Sequence, residues 1–186
     1  MEKIRCGWCE KDDLYRKYHD EEWGKPVYDD KTIFEFLILE SFQAGLSWYT
    51  ILAKRDNFRK AFDYFDYKKI AAYSDQKIEE LMNDPGIIRN RLKILAAVTN
   101  AGKFMEVQKE FGSFSRYIWG FVDGKPVDHK PATLSDVPAT TVVSDMIAKD
   151  LKKRGFKFMG PTVVYAHMQA TGMVNDHIVS CFTRKK

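Results

Sequence analysis

Apolar positions along this chain recur with the period of helices almost throughout. Ile33, Phe34, Leu37 and Ile38 follow the Asp29-Asp30 pair at helical spacing, so a helix is predicted from there through Glu40, with an aspartate as its cap. Gly45 interrupts the pattern, and Ser47 can cap the next helix, 48–54. Short helices are expected over 58–62 and 67–72, and another over 75–82, entered at Ser74. Asn83-Asp84-Pro85-Gly86 forces a tight turn before a long helix, 88–110. Leu92, Leu95, Ala96, Ala101, Phe104 and Met105 lie on or near its apolar face.

The second half continues in the same way. A helix over 114–121 precedes a loop opened by Asp123-Gly124 and holding Pro126, Pro131 and Pro138, the one stretch suited to a short hairpin. Ser144 is expected to cap a helix that stops at Gly155, with Lys152-Lys153-Arg154 at the negative end of its dipole. Pro161 can open a helix ending near Gly172. Asn175 or Asp176 can cap a last helix carrying His177 and Cys181. With no alternation of strands and helices, the fold class is all-α, and residues 1–186 read as one domain.

Composition narrows the class. Hydrophobic residues at 45% and charged residues at 30% describe a globular chain able to bury a core, not a disordered one. The net charge of +4 permits nucleic-acid binding without demanding it. Basic residues gather in 89–93, in Lys152-Lys153-Arg154 with Lys157, and in the tail Arg184-Lys185-Lys186. No apolar run is long enough to span a membrane, and the N-terminus, Met1 to Arg5, has no apolar signal core, so a cytoplasmic location is expected. Three cysteines cannot all pair within one chain. In a reducing compartment, cysteines accompanied by histidines suggest a metal before a disulfide.

Three constellations carry chemistry. His177 and Cys181 are four apart on a predicted helix, a spacing that puts both on one face; Cys6 and His19 near the other end would complete a Cys2His2 set. Cys9 is a rival ligand, because Cys6-Gly7-Trp8-Cys9 is a C-x-x-C motif, and that motif can also be redox-active. Glu40 ends an apolar helix face; a carboxylate there is either an exposed helix end or a costly buried group marking a site. Residues 81–93 form a helix, a Pro-Gly turn and a basic helix start, which is either an ordinary αα-corner or a cradle aiming amides at a phosphate.

Read together and in order, the motifs are far more specific. Cys6-Gly7-Trp8, the run 18–24, Gln43 to Trp48, the run 86–94, Lys152 to Phe158, Gly160-Pro161-Thr162, Met168-Gln169-Ala170, Gly172 and Asn175-Asp176-His177 make the chain resemble the 3-methyladenine DNA glycosylase I family over nearly its whole length. Ser41-Phe42 stands where Gly-Gln is common in that family. The resemblance implies a two-lobed helix-hairpin-helix glycosylase fold with a base pocket between the lobes. It implies one structural zinc, held by Cys6, His19, His177 and Cys181 and tying the terminal segments, with Cys9 a bystander. Glu40 maps to the pocket acid, Tyr18 and Trp48 to the stacking rings, and Trp23 to the same pocket. Gly45-Leu46 maps to the segment that probes DNA where the base leaves; in such an enzyme the hairpin amides near Gly86, with Arg89, Arg91 and Lys93, would hold phosphates. The implied activity is monofunctional excision of 3-methyladenine by a monomer acting on double-stranded alkylated DNA, with the free base as product.

Overall fold

The computed structural model of the chain describes residues 3–185; Met1, Glu2 and Lys186, and with them the outer ends of the basic tail and of the N-terminal segment read above, lie outside the described residues. Ten α-helices account for most of the described residues: α1 (Asp13–Glu21), α2 (Asp30–Gln43), α3 (Trp48–Ala53), α4 (Arg55–Ala61), α5 (Tyr67–Ile70), α6 (Asp75–Asn83), α7 (Arg91–Phe111), α8 (Phe114–Trp119), α9 (Val142–Lys153) and α10 (Pro161–Ala170). The all-α reading holds.

Helix α2 is the central rod. Asp29 caps it by accepting from the Thr32 amide, and its residues Ile33 through Phe42 are buried on nearly every side apart from Glu35. It packs against α3, α7, α8 and α10. An apolar helix buried all round must be surrounded by other helices. A single large core results, running from Ile33 on α2 through Phe104 on α7 to Tyr165 on α10. A second, smaller cluster of Tyr18, Phe36, Leu52 and Ala170, edged by Trp8, Tyr15, Trp23 and Trp48, stands apart from it.

Most predicted starts coincide with observed caps. Ser47 caps α3, Ser74 caps α6, and Pro161 opens α10. Four expectations change. Thr141, not Ser144, caps α9; Ser144 sits three residues on and returns its hydroxyl to the Thr141 amide as the second half of a capping box. The loop after Asp123 forms no hairpin: Val127–Asp128 pairs in parallel with Val174–Asn175, two residues each. A proline-bearing loop cannot donate a full ladder, and the C-terminal segment supplies the partner strand.

Leu92 and Leu95 face solvent at 68% and 42% exposure, while Lys93, Ile94, Ala97 and Asn100 take the inner face of α7. The helix begins at Arg91, with Asn90 as its cap; Ala96, Ala101 and Phe104 of the expected stripe are buried, so the correction falls on Leu92 and Leu95 in its first turns. Finally, no α-helix covers His177 and Cys181; the chain turns there, with the Cys181 amide on the Ile178 carbonyl at 2.9 Å. Asp176 is no cap. It is wholly buried, and its carboxylate meets side chains of other elements. The two ends of the chain do meet: the Phe182 amide donates to the Ile4 carbonyl at 2.9 Å.

Candidate functional site: an aromatic pocket beside a cysteine–histidine cluster

The smaller aromatic cluster is the wall of a cavity of about 390 Å³. Tyr18 from α1, Glu40 and Gln43 from α2, Trp48 from α3 and Gln169 from α10 line it, together with Trp8, Tyr15, Trp23 and Asp176. The local sequence explains the assembly. Helix α2 ends in Gln43, and the next turn passes through Gly45 at φ +81°, a conformation that favours glycine; Ser47 then restarts the chain as α3. Trp48 is thereby folded back over the end of α2. Its ring lies 5.5 Å from that of Tyr18 at 42° and 6.4 Å from that of Phe36. Trp23 closes the mouth edge-on to Trp8, their centroids 5.1 Å apart.

The polar groups of this pocket are unusual in what they lack. Glu40 is 3% exposed and its Oε2 has no hydrogen-bond partner; the Trp48 Nε1–H is buried and unpartnered as well. Burial alone pushes the Glu40 carboxyl well above the usual carboxylate range. The Tyr18 hydroxyl is likewise raised well above its ordinary value, by burial first and then by the neighbouring Glu40. An unpaired buried acceptor and donor cost free energy, and beside a cavity a ligand can complete the bonding.

Behind Trp23 lies the second polar group. Cys6, His19, His177 and Cys181 are all buried, and one potential ligand atom from each lies within 4.8 Å of all the others. Cys6 Sγ is 3.6 Å from His177 Nδ1; Cys181 Sγ is 3.5 Å from His19 Nε2 and 3.6 Å from His177 Nδ1. Around an ion with metal–sulfur bonds of about 2.3 Å and metal–nitrogen bonds of about 2.0 Å, the sulfur–nitrogen edge of a tetrahedron is about 3.5 Å. The donor set therefore fits a tetrahedral metal. The outer ring nitrogens are also engaged: His19 Nδ1 on Asp20 Oδ1 at 2.9 Å and His177 Nε2 on the Trp23 carbonyl at 3.1 Å. Such outward bonds fix the tautomer that turns a lone pair toward a metal.

Without a cation, burial drives the Cys6 thiol up to about 12 and His177 down to about 4. Gly24, at φ +76°, lets the chain pass this close; a Cβ there would lie 2.9 Å from His177 Nε2. Cys9 stands outside the set, its thiol on the Cys6 carbonyl at 3.0 Å.

The expected DNA-contact residues divide. Gly45 and Leu46 sit beside a small cavity that Glu40 also lines, and Leu46 is 40% exposed. Arg89 is exposed and, among the described residues, free of any ion pair. Arg91 is tied to Glu79 at 2.6 Å. The Gly86 amide is not open to a phosphate, because Asp84 Oδ1 accepts it at 2.7 Å. Lys93 is a correction: it is 6% exposed, and its Nζ donates to the Phe42 and Ala44 carbonyls at 2.8 and 2.6 Å. It caps the end of α2 and supports the Gly45-Leu46 turn instead of meeting solvent. Ser41 and Phe42 point away from the pocket, Phe42 into a ring cluster with Phe58 and Phe62.

Pattern reading did not single out Trp8, Tyr15, Gln43, Gln169 or Asp176 as site residues. All but Tyr15 lie in the quoted motif segments, and none has a spacing that announces a pocket.

Comparison with known proteins agrees with this geometry. The family model for methyladenine glycosylase matches residues 8–184. The chain is 48% identical over 177 residues to DNA-3-methyladenine glycosylase 1 of Escherichia coli K12, covering 95% of both chains. It is 46% identical over 177 residues to DNA-3-methyladenine glycosylase of Haemophilus influenzae, covering 95% of this chain and 96% of the other. A crystal structure of 3-methyladenine DNA glycosylase I superposes with a TM-score of 0.94 at 48% identity, over 96% of this chain and 98% of that one. A structure of the Staphylococcus aureus enzyme, solved to explain its 3-methyladenine recognition, superposes with a TM-score of 0.94 at 39% identity, over 98% and 97% of the two chains.

Proposed function

The chain belongs to the methyladenine glycosylase family, and we propose that it hydrolyses the N-glycosidic bond of 3-methyladenine in alkylated double-stranded DNA as a monomeric cytoplasmic enzyme. The observation that carries this reading is the pocket itself. A buried, unpartnered carboxylate faces aromatic rings in a cavity large enough for a base. An adenine methylated at N3 is cationic in DNA, and a lone carboxylate between π-faces complements a flat cation with amino hydrogens.

The steps follow from the residues. The damaged nucleotide leaves the stack at a cost of a few kcal/mol, less than an intact base pair would demand. Leu46, exposed on its glycine turn, fills the space it vacates. The base enters between Trp48 and Tyr18, and Glu40 accepts from its N6 amino edge. Burial raises the Glu40 carboxyl, and a cationic base beside it opposes that rise by favouring the ionised form that accepts the charge-assisted bond. As the C1′–N9 bond breaks, its electron pair stays on N9 and the base departs neutral. Water adds to C1′ and gives its proton to solvent. N3 methylation has already made the base a good leaving group, so no strong general base is assigned, and no lysine is assigned to a Schiff base.

Cys6, His19, His177 and Cys181 would hold one zinc ion, with all four positions filled by protein. Closed to water, such an ion supports folding and leaves the chemistry to the pocket. It also locates Trp23, whose carbonyl accepts from His177 while its ring walls the cavity.

Incubation with methylated genomic DNA and chromatography of the released bases tests the reading. Wild type should release 3-methyladenine, and Glu40→Gln should release far less while binding DNA as before. Wild-type protein that is folded and metal-loaded, yet releases no methylated base, would mark the chain as a DNA-binding module and sink the proposal.

A further inference from the structure

Asp176 is the least exposed acid among the described residues: its side chain is wholly buried, yet it borders the pocket. Three donors converge on it. The Tyr165 hydroxyl donates to Oδ2 at 2.5 Å, Gln169 Nε2 donates to the same oxygen at 2.8 Å, and His129 Nδ1 lies 2.7 Å from Oδ1. Tyr165 keeps its proton firmly, being raised by burial and then by its bond to Asp176.

This network fixes something the amide of Gln169 alone would leave open. A side-chain amide has a donor end and an acceptor end, and either can face a ligand. A carboxylate only accepts, so the NH₂ of Gln169 must turn toward Asp176. Its carbonyl oxygen Oε1 is then left without a hydrogen bond from the protein, on a residue that lines the pocket. The backbone behind it is anchored too, the Gln169 carbonyl accepting from the Gly24 amide at 3.0 Å.

Resting on the function proposed above, we propose that Gln169 is a specificity-determining residue whose Oε1, aimed by Asp176 as a positioning residue, accepts from the exocyclic amino group of adenine and rejects guanine. Adenine carries an N6 amino group, a donor with two hydrogens. Guanine carries the acceptor O6 at the same ring position. Two protein acceptors, Glu40 and Gln169 Oε1, can both be satisfied by the amino group, one hydrogen each. Against O6 they meet only lone pairs, and a buried acceptor facing an acceptor is penalised more heavily than a missing bond. Aromatic stacking makes no such distinction, because every base has a π-face. Discrimination between the two N3-methylated purines therefore falls to this pair of acceptors.

The test measures release of 3-methyladenine and 3-methylguanine from one preparation of methylated DNA. Gln169→Leu and Gln169→Met remove the acceptor while keeping side-chain bulk, and Asp176→Asn frees the amide to flip. With metal content and melting unchanged, the leucine and methionine variants should lose about ten- to a hundredfold in 3-methyladenine release and much less in 3-methylguanine release. The asparagine variant should narrow the ratio in the same direction. Variants that slow both bases equally would overturn the proposal while leaving the glycosylase reading intact. A wild type that releases neither base takes both down. Should the variants not fold, the side-chain ¹⁵N resonance of Gln169 in the wild type decides: it should shift on adding free 3-methyladenine but not 3-methylguanine, and no shift with either base would overturn the proposal.

Discussion

The molecule buries two polar clusters side by side, separated by the thickness of Trp23, and they are built on opposite terms. In the cysteine–histidine cluster every outward polar atom has a protein partner: His19 on Asp20, His177 on the Trp23 carbonyl, Asp20 on Arg5 at 2.9 Å. The four inner atoms face one another at tetrahedral-edge spacing. In the pocket, the Glu40 Oε2 and the Trp48 N–H have no partner. On the proposed function, the first cluster would be completed by an ion and the second only by a base. Burial of polar groups is thus no signature of function by itself. Between these two clusters the difference is whether the protein supplies the last partner or leaves it to a ligand; the buried His167, whose ring nitrogens also lack partners but do not line the pocket, shows that a missing partner marks a site only where a cavity adjoins it.

The contrast breaks most violently at the closed cluster. His177→Ala removes one corner and leaves buried thiols without their fourth partner. Losing one member of a buried charged set costs on the order of 3–5 kcal/mol. For a chain of this size, melting should fall by about 10 °C or more. Elemental analysis should show metal content dropping with it, and a chelator strong enough to strip wild type should reproduce the loss. Cys9→Ser, by contrast, should change metal content little, since that thiol bonds a carbonyl outside the set. Equal melting and metal content in wild type and His177→Ala would dissolve the distinction between the clusters.

Glu40→Gln should act in the opposite sense on stability. Release of 3-methyladenine should fall by roughly 10²–10³, the usual cost of removing a preorganised electrostatic partner. The same change should raise the melting temperature at alkaline pH. The Glu40 carboxyl is raised in the folded state by burial, so between its unfolded value of 4.5 and its raised folded value the unfolded chain binds fewer protons. Stability of wild type therefore declines as pH rises through that window, and glutamine, which does not titrate, escapes the decline. Melts of both proteins between pH 4.5 and pH 8.5 should show the gap opening with pH. A gap that stayed constant would mean Glu40 is ionised and paired in the empty pocket.

Lys93 gives a smaller effect at the seam between scaffold and site. Its ammonium group holds the Phe42 and Ala44 carbonyls just ahead of the Gly45-Leu46 turn. Lys93→Met keeps the stem and removes the donors, leaving two carbonyls short at a loss of about 1–3 kcal/mol. Thermal melting would register that loss. DNA affinity at low salt should barely change, since the charge is not on the surface. A large drop in DNA affinity with unaltered melting would restore Lys93 to the phosphate-binding set.

The two clusters were also unequally legible. Helices announced themselves through caps and spacing, since Ser47, Ser74 and Pro161 act locally, within one turn. Cys6, His19, His177 and Cys181 were legible as a ligand mix, but a turn, not the helix that their spacing suggests, brings His177 to Cys181. Glu40 was ambiguous on pattern and became a pocket residue through resemblance, because nothing in a single helix tells whether its far end is roofed by another segment. Leu92 and Lys93 exchanged places for a related reason. The inner face of α7 is set by the carbonyls at the end of α2, a contact across 49 residues for Lys93 and Ala44 that no periodicity encodes. Asp176 was legible only as a candidate helix cap and Gln169 only as part of a motif, since their network spans three elements.

Arg89 supplies the mildest prediction and the cleanest division of the hairpin. It is exposed and unpaired among the described residues, whereas its neighbours Arg91 and Lys93 are already committed to Glu79 and to carbonyls of the protein. A cation with no internal partner has nothing to lose on meeting a phosphate. Arg89→Ala should leave melting within about 0.5 kcal/mol of wild type, as surface changes generally do. It should weaken binding to any DNA sequence and lower the slope of log affinity against log salt by about 0.9, the release of one counterion. Arg91→Ala should shift the slope less, because its bond to Glu79 competes with the phosphate. If both arginines changed the slope equally, the Glu79 bridge would open on binding, and the hairpin would present two phosphate contacts instead of one.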